Sequence, residues 1–271
     1  MTNSAPLFPG QGSHFPGMEE LYGDSPLLRR GVELLGFDPF ERLEEGTRFQ
    51  QPAIFLCSAA AWERQRDDLS AIAAAGHSLG EYSALFASGA LAFEDAVALV
   101  AERAAAMADA AASRAGGMTA MLGGDAEAVR ALAGELGLVV ANDNAPGQLV
   151  LAGTLQQLAQ AEELAREQTG ARARRLEVSG AFHSPLMQPA AERLAAALGR
   201  TPVGEMRFPV YSNASARPFD DVRRELAENL LRPVRWRETL LALRDAGAEQ
   251  LPEIGPGEIL TGTVRRTLVS A

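Results

Sequence analysis

Small apolar residues run almost unbroken through SAIAAAGHS, residues 70–78, and a clear helical pattern, LGEYSALFASGAL, follows at once. The first stretch predicts a short buried strand, and the second a helix stopped by Gly89. Upstream, APLFPGQGSH predicts a first strand running into a glycine-rich turn. GMEELYGDSPLLRRGVELLGF has helical spacing interrupted by Gly23 and by the helix-start signal Asp24-Ser25-Pro26. QPAIFLCSAAAWERQRDDL predicts a helix with an apolar face. AFEDAVALVAERAAAMADAAAS predicts a long helix with Glu94 and Asp95 in its first turn, where the helix dipole favours acids. Strands alternating with helices predict a parallel sheet with crossover helices.

The pattern changes after Arg114–Gly117. MTAMLGG reads as a strand, and DAEAVRALAGELG as a helix opened by Asp125. LVVANDNAPGQLVLAG reads as two strands around the turn NDNAPG. TLQQLAQAEELAREQTG is a helix capped by Thr154 and ended by Gly170, and ARARRLEVS is a last strand. This β-α-β-β-α-β order is that of a ferredoxin-like split unit. The prediction is therefore an inserted ferredoxin-like small subdomain at 118–178. It is carried by an α/β-hydrolase-like large subdomain, 1–117 and 179–271, where the α/β pattern resumes.

The 271 residues suffice for a sizeable core, and the net charge of −10 argues against nucleic acid or an anionic membrane as the main partner. All 25 basic residues are arginine, which removes lysine as a nucleophile. The single cysteine, Cys57, lies in an apolar run and reads as core. No signal-peptide pattern and no apolar run of membrane-spanning length is present, so a cytoplasmic protein is expected.

Gly76-x-Ser78-x-Gly80 falls where the strand turns into the helix, the setting of a nucleophile elbow. The hydroxyl is exposed at a sharp turn, and the helix N-terminus, with the Leu79 N–H, can stabilise an oxyanion. A serine needs a base near neutral pH, and the chain has three histidines, His14, His77 and His183. His77 adjoins Ser78 and should point away from it, while His14 lies in a glycine-rich loop. His183, in SGAFHSPLM, follows the serine in chain order and is the preferred base. Between the two, Asp143 is the obvious acid but belongs to the insert; a carbonyl could orient the imidazole instead.

Several stretches together resemble the malonyl-CoA:acyl-carrier-protein transacylases, including the free-standing acyltransferases of polyketide synthases. They are LFPGQGSHFPGM, QPAIF, AGHSLGEYSAL, FEDAVALVAERAAAM, ANDNAPGQLVLAG, SGAFHSPLMQPAAERL, YSNASARP, LLRPVRW and EIGPGEILTG, in family order. The resemblance implies that Ser78 is acylated and His183 is its base, with Asn229 orienting the histidine through its main-chain carbonyl. It implies that Gln11 supplies a second oxyanion N–H beside Leu79, that Arg103 holds the free carboxylate of a malonyl group, and that Gln51 lines the pocket. Phe182, in GAFH, matches the malonyl-selective version.

The implied activity is ping-pong transfer of malonyl from malonyl-CoA to the phosphopantetheine thiol of an acyl carrier protein, in fatty-acid or polyketide synthesis. It calls for no metal and no cofactor beyond the coenzyme A thioester, and for a monomer. Arg232, Arg235 and Arg237, or Arg172, Arg174 and Arg175, are candidates for docking an acidic carrier. The chain departs from the family at Ala104, where glycine is usual, at Asp143, and in a shorter segment before TRFQQPAIF. A hydrolase clearing stalled acyl groups from carriers, a transferase for an unusual dicarboxylic or aminoacyl unit, and a non-catalytic docking protein are the rival readings. An apolar residue in place of Arg103 would suit the hydrolase.

Overall fold

A computed structural model describes residues 2–268. The chain opens with strands β1 (Asn3–Ser4) and β2 (Leu7–Phe8), then helices α1 (Pro26–Leu35) and α2 (Thr47–Gln65). The predicted strand at 70–78 is two short strands, β3 (Ser70–Ala71) and β4 (Ala74–Gly76). β3 pairs with β1, whereas β4 pairs with β2 and with the later strand β9 (Val210–Ser212), so the break lets one segment serve two sheets. Helices α3 (Gly80–Ser88) and α4 (Phe93–Ser113) follow. Gly89 ends α3 in the left-handed conformation.

The insert comprises β5 (Gly116–Leu122), α5 (Ala126–Glu135), β6 (Val139–Ala145), β7 (Gln148–Thr154), α6 (Leu155–Thr169) and β8 (Arg172–Arg175). The sheet order β6-β7-β5-β8, antiparallel throughout, is that of a ferredoxin-like unit. Asp125 caps α5, and Thr154 with Gln157 forms a capping box on α6. β6 continues through Asn142–Asn144, with register shifts between Val140 and Asn142 and between Asp143 and Ala145, so the hairpin turn shrinks from the predicted NDNAPG to Pro146-Gly147. The reason is tertiary: the outer edge of β6 is paired with residue 234 of the large subdomain, Asp143 N–H donating to the Val234 carbonyl at 2.9 Å.

The chain returns through α7 (Gln188–Leu198), β9 (Val210–Ser212), β10 (Arg217–Pro218), α8 (Val222–Glu228), α9 (Trp236–Asp245) and α10 (Ile259–Leu268). The main sheet has the order β10-β9-β4-β2, with β9, β4 and β2 parallel. Strand alternation divides the core in two. Phe8 and Ala74 face α2, α3 and α4, while Leu7 and Ala75 face Trp236, Leu240 and Leu243 of α9. Helix α2 is buried all round from Gln51 to Trp62 rather than on one face, because it threads the centre of the large subdomain. Among the described residues no helix is long and apolar enough to cross a membrane.

Candidate active site

Three neighbouring parallel strands deliver the site from their carboxyl ends: β2 leads to Gln11, β4 to Ser78 and β9 to Asn213. The elbow is tight. A Cβ on Gly76 would overlap the Gly80 carbonyl, and one on Gly80 would overlap the carbonyl of Phe8, so both positions require glycine. Ser78 itself is held at φ 54°, a conformation that costs a non-glycine residue about 1–3 kcal/mol and persists only where surrounding contacts enforce it. Asn213 enforces it: its Oδ1 accepts the Ser78 N–H at 2.6 Å and its Nδ2 donates to the Gly76 carbonyl at 2.7 Å.

Ser78 Oγ lies 2.8 Å from His183 Nε2. On the other side of the ring, His183 Nδ1 lies 2.9 Å from the Asn229 carbonyl and 3.1 Å from that of Arg232. These carbonyls set the tautomer: Nδ1 carries the hydrogen and Nε2 faces the hydroxyl with its lone pair. Burial first, and the Arg103 charge second, push the His183 pKa down to about 3. Asp143 takes no part. It sits 8% exposed between Arg130, at 2.8 Å, and Arg237, at 3.2 Å, and clamps the insert to α9.

Arg103 projects from α4 among alanines and is 2% exposed. Its Nη2 donates to Ser78 Oγ at 3.0 Å, its Nη1 donates to Gln51 Oε1, and its guanidinium lies over the Tyr82 ring. Gln51 donates in turn to Gln11 Oε1 at 3.1 Å. Among the described residues no carboxylate reaches Arg103 at ion-pair distance. A buried cation with only neutral partners is costly unless an anion joins it.

A cleft of about 140 Å³ lies over the serine. Gln11, Ser78, Phe182 and His183 line it from the large subdomain, and Met118 and Val150 from the insert. Among the described residues neither the Gln11 N–H nor the N–H of Leu79, next to Ser78, is used within the protein. No cluster of metal-ligating side chains occurs among the described residues.

Residues 40–271 match the family described as the acyl transferase domain. The chain belongs to that family. It is 41% identical, over 98% of this chain and 90% of the relative, to the malonyl CoA-acyl carrier protein transacylase of Bacillus subtilis. It is 42% identical, over 97% of its length, to the polyketide biosynthesis protein ThaF of Burkholderia thailandensis, but spans only 24% of that longer protein. Its fold superposes with a TM-score of 0.92, at 34% identity over 99% of this chain and 94% of the other, on the malonyl-transacylase in the PlMCAT:AntF complex, a type II polyketide synthase acyl-carrier protein with its transacylase.

Within this acyl transferase domain, His77 points away from Ser78 as expected, to meet Asn144 of β6 at 2.8 Å, edge-on to Trp236. Sequence reading passed over two groups: Asn213 holds the elbow, and Glu81 lies beneath it. A signal existed for Glu81 alone, as an acid inside a helix whose other residues are apolar or small. The first arginine run is spent on internal pairs, whereas in the second only Arg175 is paired among the described residues and Arg172 and Arg174 are exposed. Arg237 holds Asp143, Arg235 holds Glu238, Arg232 holds Glu228 and Arg175 holds Glu162.

Proposed function

We propose that this protein transfers a malonyl group from malonyl-CoA to the phosphopantetheine thiol of an acyl carrier protein, through a malonyl-Ser78 intermediate. The observation that carries this reading is the buried Arg103, with no carboxylate at ion-pair distance among the described residues and 3.0 Å from the nucleophile. Its planar fork suits the free carboxylate of a dicarboxylic acyl group. A hydrolase for simple acyl chains has no use for that charge. The names of the Bacillus subtilis transacylase and of the carrier-protein complex support the same substrate and acceptor.

His183 Nε2 takes the Ser78 proton as Oγ attacks the thioester carbonyl. The N–H groups of Leu79 and Gln11 hold the resulting oxyanion. The C–S bond then breaks, and the coenzyme A sulfur leaves with the proton from His183. In the second half, the carrier thiol gives its proton to His183 and attacks the malonyl ester, and Ser78 leaves with that proton. Serine, histidine and two amides complete this chemistry, so it requires no metal and no cofactor beyond the thioester. Phe182 crowds the position of an α-methyl branch, a discrimination of about 1–3 kcal/mol against methylmalonyl. We place the enzyme in the cytoplasm as a monomer, with neither nucleic acid nor membrane as partner, in keeping with its net charge of −10.

Intact-protein mass spectrometry after mixing with malonyl-CoA or acetyl-CoA tests the reading. A stable malonyl adduct with little acetyl adduct is expected. An acetyl preference, or release of free acid without an adduct, would sink it in favour of the hydrolase.

The pH dependence follows from His183. A pKa lowered to about 3 leaves the imidazole neutral, as the base, at every pH well above that value. The single-turnover acylation rate, measured by quenched flow, is therefore expected to be flat from about pH 5 to 8 rather than to fall near the usual histidine pKa of about 6.5. A limb near 6.5 would show that the imidazole is not held in this environment.

A further inference from the structure

Glu81 lies in the first turn of α3, three residues beyond the nucleophile, and is 3% exposed. Its Oε1 accepts two hydrogen bonds, from the Asn213 main-chain N–H at 2.7 Å and from Asn229 Nδ2 at 2.8 Å. Each donor belongs to a residue that handles one half of the dyad. Asn213 Oδ1 receives the Ser78 N–H at 2.6 Å. The Asn229 carbonyl receives His183 Nδ1–H at 2.9 Å.

We infer that Glu81 is a positioning residue for acyl transfer: its single oxygen Oε1 ties the loop that strains Ser78 to the segment that aims His183, and so sets the distance between nucleophile and base. The inference rests on the Ser78–His183 reading above, but not on the identity of the acyl group.

The fold alone gives no reason for a carboxylate here. No basic side chain reaches Glu81 at ion-pair distance among the described residues, and a buried carboxylate without a cation is costly. Burial raises its pKa to about 7, against the pull of the two asparagine donors and the more distant Arg103. An apolar residue would avoid that cost. It would also leave the Asn213 N–H and one Asn229 amide donor buried and unpaired. Ser78 and His183 both hold positive φ, at 54° and 56°, so each depends on outside contacts to stay in place. A displacement of about 1 Å between such groups is enough to cost roughly 100-fold in rate.

The contacts distinguish the accepting oxygen from the charge. A glutamine keeps an oxygen at the same place, so Glu81→Gln should preserve both bonds, whereas Glu81→Ala removes them. Asn229→Ala cuts the same link while leaving the main-chain carbonyl. Two rates should be measured on each protein: single-turnover acylation by malonyl-CoA, and inactivation by a serine-directed fluorophosphonate, which reports Ser78 activation without any acyl group. Expected are Glu81→Gln within about 3-fold of the unmodified enzyme on both. Glu81→Ala and Asn229→Ala should fall about 10- to 100-fold on both, with the malonyl-CoA KM changed less than about 3-fold. If Glu81→Ala does not fold, Asn229→Ala carries the comparison.

A folded Glu81→Ala or Asn229→Ala labelled at the unmodified rate would overturn the inference. So would a Glu81→Gln that falls as far as Glu81→Ala, since the charge would then be what matters. An unmodified enzyme that reacts with the phosphonate but never with malonyl-CoA would defeat the proposed substrate and leave this inference to be decided by the phosphonate series.

Discussion

Ser78→Ala is expected to take up no acyl group from malonyl-CoA, under conditions where the unmodified enzyme carries one malonyl group per chain. The chain offers no substitute nucleophile. It has no lysine, and its one thiol, Cys57, is buried within α2, where burial also pushes its pKa up. Other serines lack a histidine at hydrogen-bond distance among the described residues. The variant should fold, because alanine and serine meet the same strain at φ 54° and the elbow glycines are untouched. Transfer to the carrier thiol should therefore vanish, while melting temperature stays close to that of the unmodified enzyme. Intact mass and a thermal melt read both. A malonyl adduct surviving in Ser78→Ala would locate the chemistry elsewhere.

Arg103→Ala is expected to invert the acyl preference. Losing one partner of a buried charge pair costs about 2–5 kcal/mol, so acylation by malonyl-CoA should fall by a factor of roughly 30 to 3,000. Acetyl-CoA carries no carboxylate and should lose far less. A second effect works in the same site. The Arg103 cation is one of the causes that lower the His183 pKa. On the proposed reading, a malonyl carboxylate on Arg103 would offset that charge and raise the proton affinity of the base, whereas an acetyl group would not. Removing Arg103 frees His183 from that charge permanently, which raises its pKa toward the ordinary value. Acetylation by Arg103→Ala should accordingly develop an acid limb at higher pH than in the unmodified enzyme. Quenched-flow acylation with both thioesters across pH checks the two effects together. An unchanged malonyl-to-acetyl ratio would show that Arg103 does not grip the acyl group.

Local patterns carried much of this. Apolar runs and helix caps such as Asp125 and Thr154 located most elements, because strand burial, capping and turn preferences act over a few residues. Gly76-Ser78-Gly80 was legible for the same reason: a strand crossing a helix at that angle admits only glycine on either side. The helix over α2 was legible as a helix but not as a fully buried one, since periodicity cannot say how many neighbours surround it.

What lay beyond the local pattern depends on closure. Ser78 meets His183 across 105 positions of sequence, and the His183 imidazole meets the Asn229 carbonyl across 46. Spacing along the chain says nothing about such contacts. Asp143, the obvious acid on sequence, is claimed by Arg130 and Arg237, and Arg175 is claimed by Glu162 of α6. Glu81 reads on sequence as one more acid in a first helical turn. Only the packing of α3 against β9 and the segment after α8 makes its oxygen the meeting point of two loops. The sequence by itself determined which elements form, where the elbow bends and which residue types could do the chemistry. Only the tertiary structure decided which of those side chains share an environment, because burial, pairing and charge are properties of neighbours in space.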